Sequence, residues 1–277
     1  MFQGLILPMD RWLRKCPDLF CIQSGVLQNA GLFFFILIGK LCFMRLHRFY
    51  IEQKISTEGE IRISDENLIH QWKNVFRMEA GNEVILFDGS GKDFISKIIS
   101  VDKREAVLKI ESSENSPSSK PKHEVHLFQS LIKKDNFEWI LEKCTELGVT
   151  DFHPIISERS EKKSFNEERA KKILIEASEQ SGRGVLPTLH KTVSFEEALG
   201  SLSSSAIAFD PSGTPFPPNE ANEAKSAEKA IFIGPEGGWS PSEVGLFHNK
   251  KIPLYSLGSQ ILRAETAAVA ISAKILI

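Results

Sequence analysis

Two short segments near the C-terminus combine glycines with charged side chains directly after apolar runs. The first reads Ile231-Phe-Ile-Gly-Pro-Glu-Gly-Gly-Trp-Ser, and the second reads Tyr255-Ser-Leu-Gly-Ser-Gln-Ile-Leu-Arg-Ala-Glu-Thr-Ala. Glycine at such positions lets a ligand approach backbone that side chains would otherwise block. Arg263, Glu265 and Thr266 fill three of four positions, so they cannot all face the core of a terminal helix. The segments match neither a Walker loop nor G-x-G-x-x-G, and they indicate either a backbone-lined ligand site or two tight strand-to-helix turns.

A third polar segment lies earlier in the chain and reads Glu176-Ala-Ser-Glu-Gln-Ser-Gly-Arg. On a helix, the spacing places Glu176, Gln180 and Arg183 on one face. Together with Arg159, this face either lines a groove for an anionic ligand or is an ordinary solvated surface.

The elements that must position these segments alternate between strands and helices from residue 125 onward. Strands are predicted at 125–131, 151–156, 205–209, 230–233 and 253–257. Asp135 is predicted to cap a helix that ends at Gly148, Asn166 opens a helix that runs to Gly182, and Ser240 with Glu243 forms a capping box. A last helix covers about 262–277. This alternation predicts a mostly parallel sheet covered on both faces, with ligands beyond the carboxyl ends of its strands.

The region before residue 112 has a different pattern. Short alternating runs over 49–111, with Asp88-Gly-Ser-Gly as a hairpin turn, predict a small antiparallel β-barrel. One helix is predicted over 67–78, with Leu68, Trp72, Val75 and Phe76 on its apolar face. Residues 112–122 are rich in Ser, Pro and Lys and predict a flexible linker.

Residues 1–43 differ in composition from the rest of the chain. Their apolar run 31–43 is broken only by Lys40 and is shorter than the roughly 20 residues that span a bilayer. Met44-Arg-Leu-His-Arg-Phe reads as a natural chain start. We therefore expect 1–43 to be an extension outside the fold or a misassigned start, and the alternative is a weak membrane or targeting segment.

Composition limits the possible functions of this chain. It has 277 residues, 42% hydrophobic and 25% charged, with a formal net charge of −2. These values exclude collagen-like and disordered classes, and any nucleic-acid contact must rest on a local basic cluster. None of the four cysteines forms a C-x-x-C pair, and Cys144 is expected to be a buried free thiol. No cluster of His, Cys, Asp or Glu suggests a metal, so none is predicted.

Six motifs in this order resemble the small-subunit (16S) ribosomal RNA uracil-N3 methyltransferases of the SPOUT, or α/β-knot, superfamily. They are Met44-Arg-Leu-His-Arg-Phe, Glu146-Leu-Gly-Val, Ser157-Glu-Arg, the Glu176 to Arg183 segment, Gly234-Pro-Glu-Gly-Gly, and Leu257-Gly258 with Ile261-Leu-Arg-Ala-Glu-Thr-Ala. The resemblance covers 44–277.

The resemblance implies an N-terminal PUA-like barrel over 44–111, the linker 112–122, and a trefoil-knotted methyltransferase domain over 123–277. It also implies a cytoplasmic homodimer without a stable membrane association, which binds S-adenosylmethionine and small-subunit ribosomal RNA. The cofactor contacts that follow are Ile233, Gly234, Pro235, Glu236, Gly237, Gly238, Leu257, Gly258, Ile261, Leu262 and Thr266.

The predicted reaction needs charge stabilisation as a uracil loses its N3 proton. We expect Arg263 to stabilise that charge, and Glu265 or Glu236 to relay a proton or to anchor its loop. Predicted RNA contacts are Arg45, His47, Arg48, Arg77, Arg159 and Arg183. Phe49 and Tyr50 either stack on bases or pack the first strand. The alternative functions are a SPOUT enzyme that modifies another RNA and a non-catalytic ribosome-assembly factor.

Overall fold

The computed structural model describes residues 46–116, 124–202, 205–217 and 228–277, all within one compact unit that begins at Leu46. The predictions for residues 1–43, for Arg45 and for the linker residues 117–122 lie outside the described residues. No helix in this described part of the chain combines the length and the apolar character that crossing a membrane requires.

The first sheet has five strands in the order β1-β3-β4-β5-β2. They are β1 (Arg48–Tyr50), β2 (Gly59–Ile63), β3 (Glu83–Phe87), β4 (Lys92–Val101) and β5 (Ala106–Asn115). Three of the pairings are antiparallel, as predicted, but β1 runs parallel to β3. Apolar side chains from the strands surround the buried Trp72. Phe49 belongs to this core, which confirms that it packs the first strand, whereas Tyr50 is only half-buried.

The predicted helix of this sheet is shorter than expected and changes its winding. Helix α1 (Glu66–His70) begins after Asp65, whose carboxylate accepts the backbone N–H groups of Asn67 and Leu68, and a π-helical turn, Gln71–Val75, follows. The wider i→i+5 turn rotates later side chains away from the α-helical face. Val75 is consequently 65% exposed, so its predicted place on the apolar face is wrong.

Strand β5 extends into the stretch predicted as a linker. Lys92 pairs with Asn115, and Asp93 pairs with Glu114. The backbone hydrogen bonds to β4 therefore keep this polar segment in the sheet. The next residue, Ser116, is buried, and its hydroxyl donates to the Gly182 carbonyl at 3.0 Å. The predicted linker start at residue 112 is therefore wrong.

The second sheet has seven strands in the order β12-β10-β11-β6-β7-β8, with β9 paired to β7, and every pairing is parallel. Its strands are β6 (Glu124–Ser130), β7 (Asp151–Ile156), β8 (Thr188–Leu189), β9 (Val193–Ser194), β10 (Ser205–Pro215), β11 (Glu228–Ile233) and β12 (Leu254–Ser256). The helices are α2 (Lys134–Leu147), α3 (Glu167–Ser181), α4 (Phe195–Gly200), α5 (Pro241–Asn249) and α6 (Ala264–Leu276). Helices α2, α3 and α6 cover one face, and α4 and α5 cover the other, as predicted.

Most of the predicted helix ends are confirmed. Gly148 and Gly182 close α2 and α3 in the left-handed region, with φ values of 111° and 80°. The capping box of Ser240 and Glu243 is present. Lys133, not Asp135, is the N-cap of α2, and Asp135 lies in its first turn, where the helix dipole favours a carboxylate. Cys144 is buried, and burial raises the pKa of its thiol to about 12.

Arg48 joins the first sheet to α3. Its Nη1 donates to the carbonyls of Ser178 and Arg183 at 3.3 Å, and Nη2 bonds to the buried Asp93 carboxylate. These acceptors compensate the cost of burying a charge. Because the guanidinium is buried and bonded within the protein, the structure contradicts the predicted RNA contact of Arg48.

Arg183 is also buried, and its side chain donates hydrogen bonds to backbone carbonyl groups at the end of α2. Its Nη1 donates to the carbonyls of Thr145 and Val149 at 3.0 and 2.8 Å, and its Nε donates to Val185 at 3.3 Å. Burial lowers the pKa of Arg183 to about 10, so the guanidinium stays charged at neutral pH. A cation is favoured at the negative end of a helix dipole. The predicted RNA contact of Arg183 is therefore contradicted.

A buried carboxyl group at this junction makes its stability depend on pH. The Glu179 carboxyl group accepts the backbone N–H of Tyr50 at 2.9 Å, and burial raises its pKa from 4.5 to about 7. Between these two values the folded chain binds a proton that the unfolded chain has released. The contribution of Glu179 to the free energy of unfolding therefore becomes less favourable as pH rises through this window.

We expect Glu179→Gln to remove this part of the pH dependence, because glutamine keeps an acceptor for Tyr50 but carries no charge. Above about pH 7, the variant should be more stable than the parent chain. Urea unfolding across the window measures the effect, and Glu83→Gln, at an exposed position at the start of β3, is the control. Equal slopes for parent and Glu179→Gln would contradict the prediction.

Candidate functional site

A cavity of about 810 Å³ opens at the carboxyl edge of the parallel sheet. The ends of β10, β11 and β12 border it, together with the first turns of α2 and α6. This is the edge where an open α/β sheet binds ligands. Both predicted glycine segments line this single cavity.

The loop after β11 is held from several sides. Glu236 Oε1 accepts the backbone N–H of Lys133 at 3.1 Å, and Arg159 Nη1 donates to the Gly237 carbonyl at 3.0 Å. A Cβ atom on Gly234 would lie 3.2 Å from the ring of Trp239, whose Nε1 donates to the Phe209 carbonyl. A side chain at position 234 would therefore press on the ring of Trp239, and glycine avoids this while leaving the backbone free to face the cavity.

The loop after β12 is more exposed. Gly258 adopts a φ of 120°, a backbone conformation that favours glycine. Ile261 is 84% exposed beside the cavity, although it is apolar. An exposed isoleucine at a cavity mouth offers apolar surface that a bound ligand can cover.

The predicted catalytic residues all line the cavity but differ in their surroundings. The Arg263 side chain is 85% exposed, with Nη1 4.0 Å from Glu265 Oε1. The Glu265 side chain is only 12% exposed, and among the described residues its buried Oε2 has no hydrogen-bond partner. Glu236 is held by the backbone of α2, which favours the anchoring alternative for this residue. Glu265 therefore has a buried oxygen that can accept a hydrogen bond from a ligand.

Ten of the eleven predicted cofactor residues border the cavity, and Thr266 does not. Thr266 follows Glu265 on the first turn of α6, and its side chain is exposed, whereas Glu265 is partly buried. The cavity lining gives the predicted cofactor contact of Thr266 no support, and it stays a prediction.

The structure adds a segment that sequence analysis missed. Strand β10 changes register against β12 between Phe209 and Thr214, and the intervening residues Asp210, Pro211 and Ser212 line the cavity. The Asp210 carboxylate accepts the backbone N–H and the hydroxyl of Ser212 at 2.9 and 2.6 Å. A strand that ends in Asp-Pro-Ser-Gly was the available signal, since polar turn residues at a strand end mark the same edge of the sheet.

The remaining predicted binding residues are dispersed. Glu176 and Gln180 border a separate groove between α2 and α3, whereas Arg183 lies buried beyond the helix end. The anionic-ligand groove with all three side chains on one face is therefore wrong. Arg159 borders the cavity at the carboxyl edge of the sheet instead.

The fold also creates a cluster of potential metal ligands. The register of β6 and β7 pairs His126 with Asp151 and Phe128 with His153, and ligand atoms of His126, Asp151 and His153 all lie within 4.8 Å. Burial, with the neighbouring histidines, lowers the pKa of His153 to about 3. The sequence analysis did not identify this cluster, because its members come together only through the register of the two strands. The cluster lies at the amino ends of the strands, opposite the cavity.

Two protein-family models match this chain, and they fit its parallel sheet with a glycine-lined cavity and its small first sheet. Residues 118–276 match the RNA methyltransferase domain, and residues 73–111 match the RNA methyltransferase PUA domain. The chain is therefore a member of the class of RNA methyltransferases that carry a PUA-like domain.

Individual relatives define the family further. The chain is 32% identical to ribosomal RNA small subunit methyltransferase E of Aquifex aeolicus, over 82% of this chain and 97% of the relative. It is 28% identical to the Rickettsia conorii protein of the same name, over 84% and 96%. A crystal structure of a ribosomal RNA small subunit methyltransferase E from Neisseria gonorrhoeae, bound to S-adenosyl methionine, is also similar. Its sequence is 27% identical to this chain and its TM-score is 0.73, and the match covers 83% of this chain and 96% of that one. The chain belongs to the ribosomal RNA small subunit methyltransferase E family.

Proposed function

We propose that this protein transfers a methyl group from S-adenosylmethionine to N3 of a uridine in small-subunit (16S) ribosomal RNA. One observation carries the proposal: both glycine loops, Arg263 and Glu265 border one cavity at the ligand-binding edge of the sheet. Membership of the family and the S-adenosyl methionine bound to the Neisseria relative agree with it.

The residues of the cavity fit S-adenosylmethionine. A volume of about 810 Å³ lies in the range of cofactor sites, and the two loops offer backbone donors and acceptors with little side-chain obstruction. The unpartnered Oε2 of Glu265 provides an acceptor for a ligand group. The cofactor supplies a methyl group already activated on a sulfonium, so the protein contributes position and electrostatics.

Arg263 has the properties needed to stabilise a uracil anion. Uracil N3 is a weakly acidic imide nitrogen, and negative charge develops on the ring as its proton leaves. The exposed guanidinium of Arg263 stands at the cavity mouth, where it can donate to that charge. Glu265, with an unpartnered buried oxygen, accepts the proton in this proposal, and Glu236 anchors its loop.

Binding of RNA is proposed to rest on exposed cations of the first domain. Of the predicted contacts, His47 and Arg77 are exposed there, and Arg159 is exposed beside the cavity. These three remain candidates for phosphate, whereas the buried Arg48 and Arg183 do not.

We expect Arg77→Gln to weaken RNA binding and to lower the slope of log affinity against log salt by about 1. Arg62→Gln is the matched control, because Arg62 is exposed in the same domain but pairs with Glu105. Binding titrations at several salt concentrations measure the slope, and cofactor affinity should not change. An unaltered slope would remove Arg77 from the RNA interface.

We also propose that the C-terminal domain is a deep trefoil knot and that the first sheet closes into a PUA-like barrel. At the bulge of β10, a Cβ on Gly213 would lie 2.6 Å from the backbone of Tyr255. Two chain segments thus pass each other as closely as backbone allows, directly beside the cavity. Since β10 and β12 are paired strands, this contact is part of the sheet, and the knot itself is proposed from the family resemblance although ordinary connection rules disfavour threading.

The wider organisation is proposed from the family resemblance. We place the domain boundary between the end of β5 at Asn115 and the start of β6 at Glu124, with 1–43 outside the fold, and the described unit beginning at Leu46 agrees with this. A cytoplasmic homodimer, with each active site near the dimer interface, completes the proposal.

Mass spectrometry of ribosomal RNA nucleosides, from cells with and without the gene, tests the function. Loss of 3-methyluridine from the small subunit supports it, and its persistence overturns it. A loss confined to transfer RNA or to another ribosomal RNA position would establish the alternative substrate. A non-catalytic assembly factor would change no nucleoside, although the intact glycine loops argue against that alternative.

A further inference from the structure

Three histidines and an aspartate gather at the amino edge of the parallel sheet, on the face covered by α4 and α5. His126 Nδ1 lies 3.0 Å from His153 Nε2, and His190 Nε2 lies 2.8 Å from Asp151 Oδ1. The His153 ring stacks between Phe128 and His190, with centroid distances of 4.2 and 3.8 Å. The proposed methyl transfer uses none of these groups.

The donor atoms suit a borderline divalent metal. Two imidazole nitrogens bound to one tetrahedral Zn²⁺ lie roughly 3.3 Å apart, close to the 3.0 Å between His126 and His153. Asp151 Oδ2 lies 3.8 Å from the other ring nitrogen of His126, Nε2. With one ligand atom taken from each of His126, Asp151 and His153, the three atoms lie within 4.8 Å of one another, so Asp151 supplies an oxygen after a small rotation of the imidazole. The pair of nitrogens and one carboxylate favour Zn²⁺ or Co²⁺ over Mg²⁺ or Ca²⁺, which prefer oxygen alone.

Charge and orientation around the cluster also favour a cation. Glu228 Oε1 lies 3.4 Å from His126 Nε2, which adds a second carboxylate near the site. His190 forms a hydrogen bond with the other carboxylate oxygen of Asp151, Oδ1. Carboxylates that bind metals commonly have such a second hydrogen-bonding partner. All three candidate ligands are partly buried on a rigid strand pair, so little ordering is needed when they bind.

We propose that His126, Asp151 and His153 form a binding site for one divalent transition-metal ion of the Zn²⁺ type. The ion links β6 to β7 at the amino edge of the sheet and stabilises the domain. It is remote from the cofactor cavity, so methyl transfer does not require it. The competing explanation is a proton-sharing chain of hydrogen bonds through the same four side chains.

Titration of the chelator-stripped full chain with Co²⁺ and then Zn²⁺ tests the site. We expect one ion per chain, a visible Co²⁺ spectrum with nitrogen ligands that Zn²⁺ abolishes, and a higher melting temperature with metal. His126→Gln and Asp151→Asn should each weaken binding by at least about tenfold. His248→Gln, at an exposed position near the end of α5, should bind as the parent does.

Each outcome decides the proposal. If the stripped parent binds neither ion, or if His126→Gln and Asp151→Asn bind as tightly as the parent, the cluster is a hydrogen-bond chain and the proposal is wrong. Should a variant fail to fold, the Co²⁺ spectrum and the metal-dependent melting temperature of the parent still decide it. S-adenosylmethionine affinity should be unchanged in folded variants, which separates this test from that of the proposed function.

Discussion

Arg263→Ala is expected to lower the single-turnover rate by about two to three orders of magnitude, with little change in S-adenosylmethionine affinity. The reason is that the guanidinium stabilises charge that appears on the uracil only as the methyl group moves. The structure leaves this side chain free to do so, since it is 85% exposed and only approaches Glu265 at 4.0 Å. Rapid-quench kinetics and calorimetry on the same variant separate rate from binding.

Two further observations test this role of Arg263. Arg263→Lys should recover only part of the rate, because an ammonium lacks the planar, forked donor geometry of a guanidinium. Arg263 is the N-cap of α6 without a side-chain cap, so removal of its side chain leaves the helix end intact. If cofactor affinity and stability fall together while the saturated rate survives, Arg263 shapes the loop and the catalytic role is wrong.

Arg183→Ala is expected to lower the free energy of unfolding by about 3 kcal/mol, a large effect for a single side chain. The substitution leaves the carbonyls of Thr145 and Val149 buried at the end of α2 without their donor. It also removes a cation from the negative end of that helix. Urea unfolding monitored by circular dichroism measures the loss.

An exposed arginine provides the control for this prediction. The Arg169 side chain on α3 pairs with Glu138 at 3.4 Å near the surface, so Arg169→Ala should cost well under 1 kcal/mol. RNA affinity of folded Arg183→Ala should match that of the parent. A stable Arg183→Ala chain with a selective loss of RNA binding would contradict the structural role and restore the original prediction for this residue.

Local signals in the sequence predicted most of the strands, helices and helix ends of this protein. The alternation of strands and helices, the capping box at Ser240 and the terminal glycines at 148 and 182 describe features that depend on neighbouring residues alone. The glycine loops were also recognisable, since their location after apolar strands puts them at one edge of a parallel sheet. Both indeed border one cavity.

Only the tertiary structure decided what distant polar side chains do. Arg48 and Arg183 are charged in the sequence and looked like surface residues, but the packing of the first sheet on α3 buries them against helix carbonyls. Strand register likewise assembled His126, Asp151 and His153, and the bulge of β10 brought Asp210 to the cavity. A side chain's charge and spacing are local properties, whereas its burial and its partners depend on which segments meet, and no local pattern encodes that meeting.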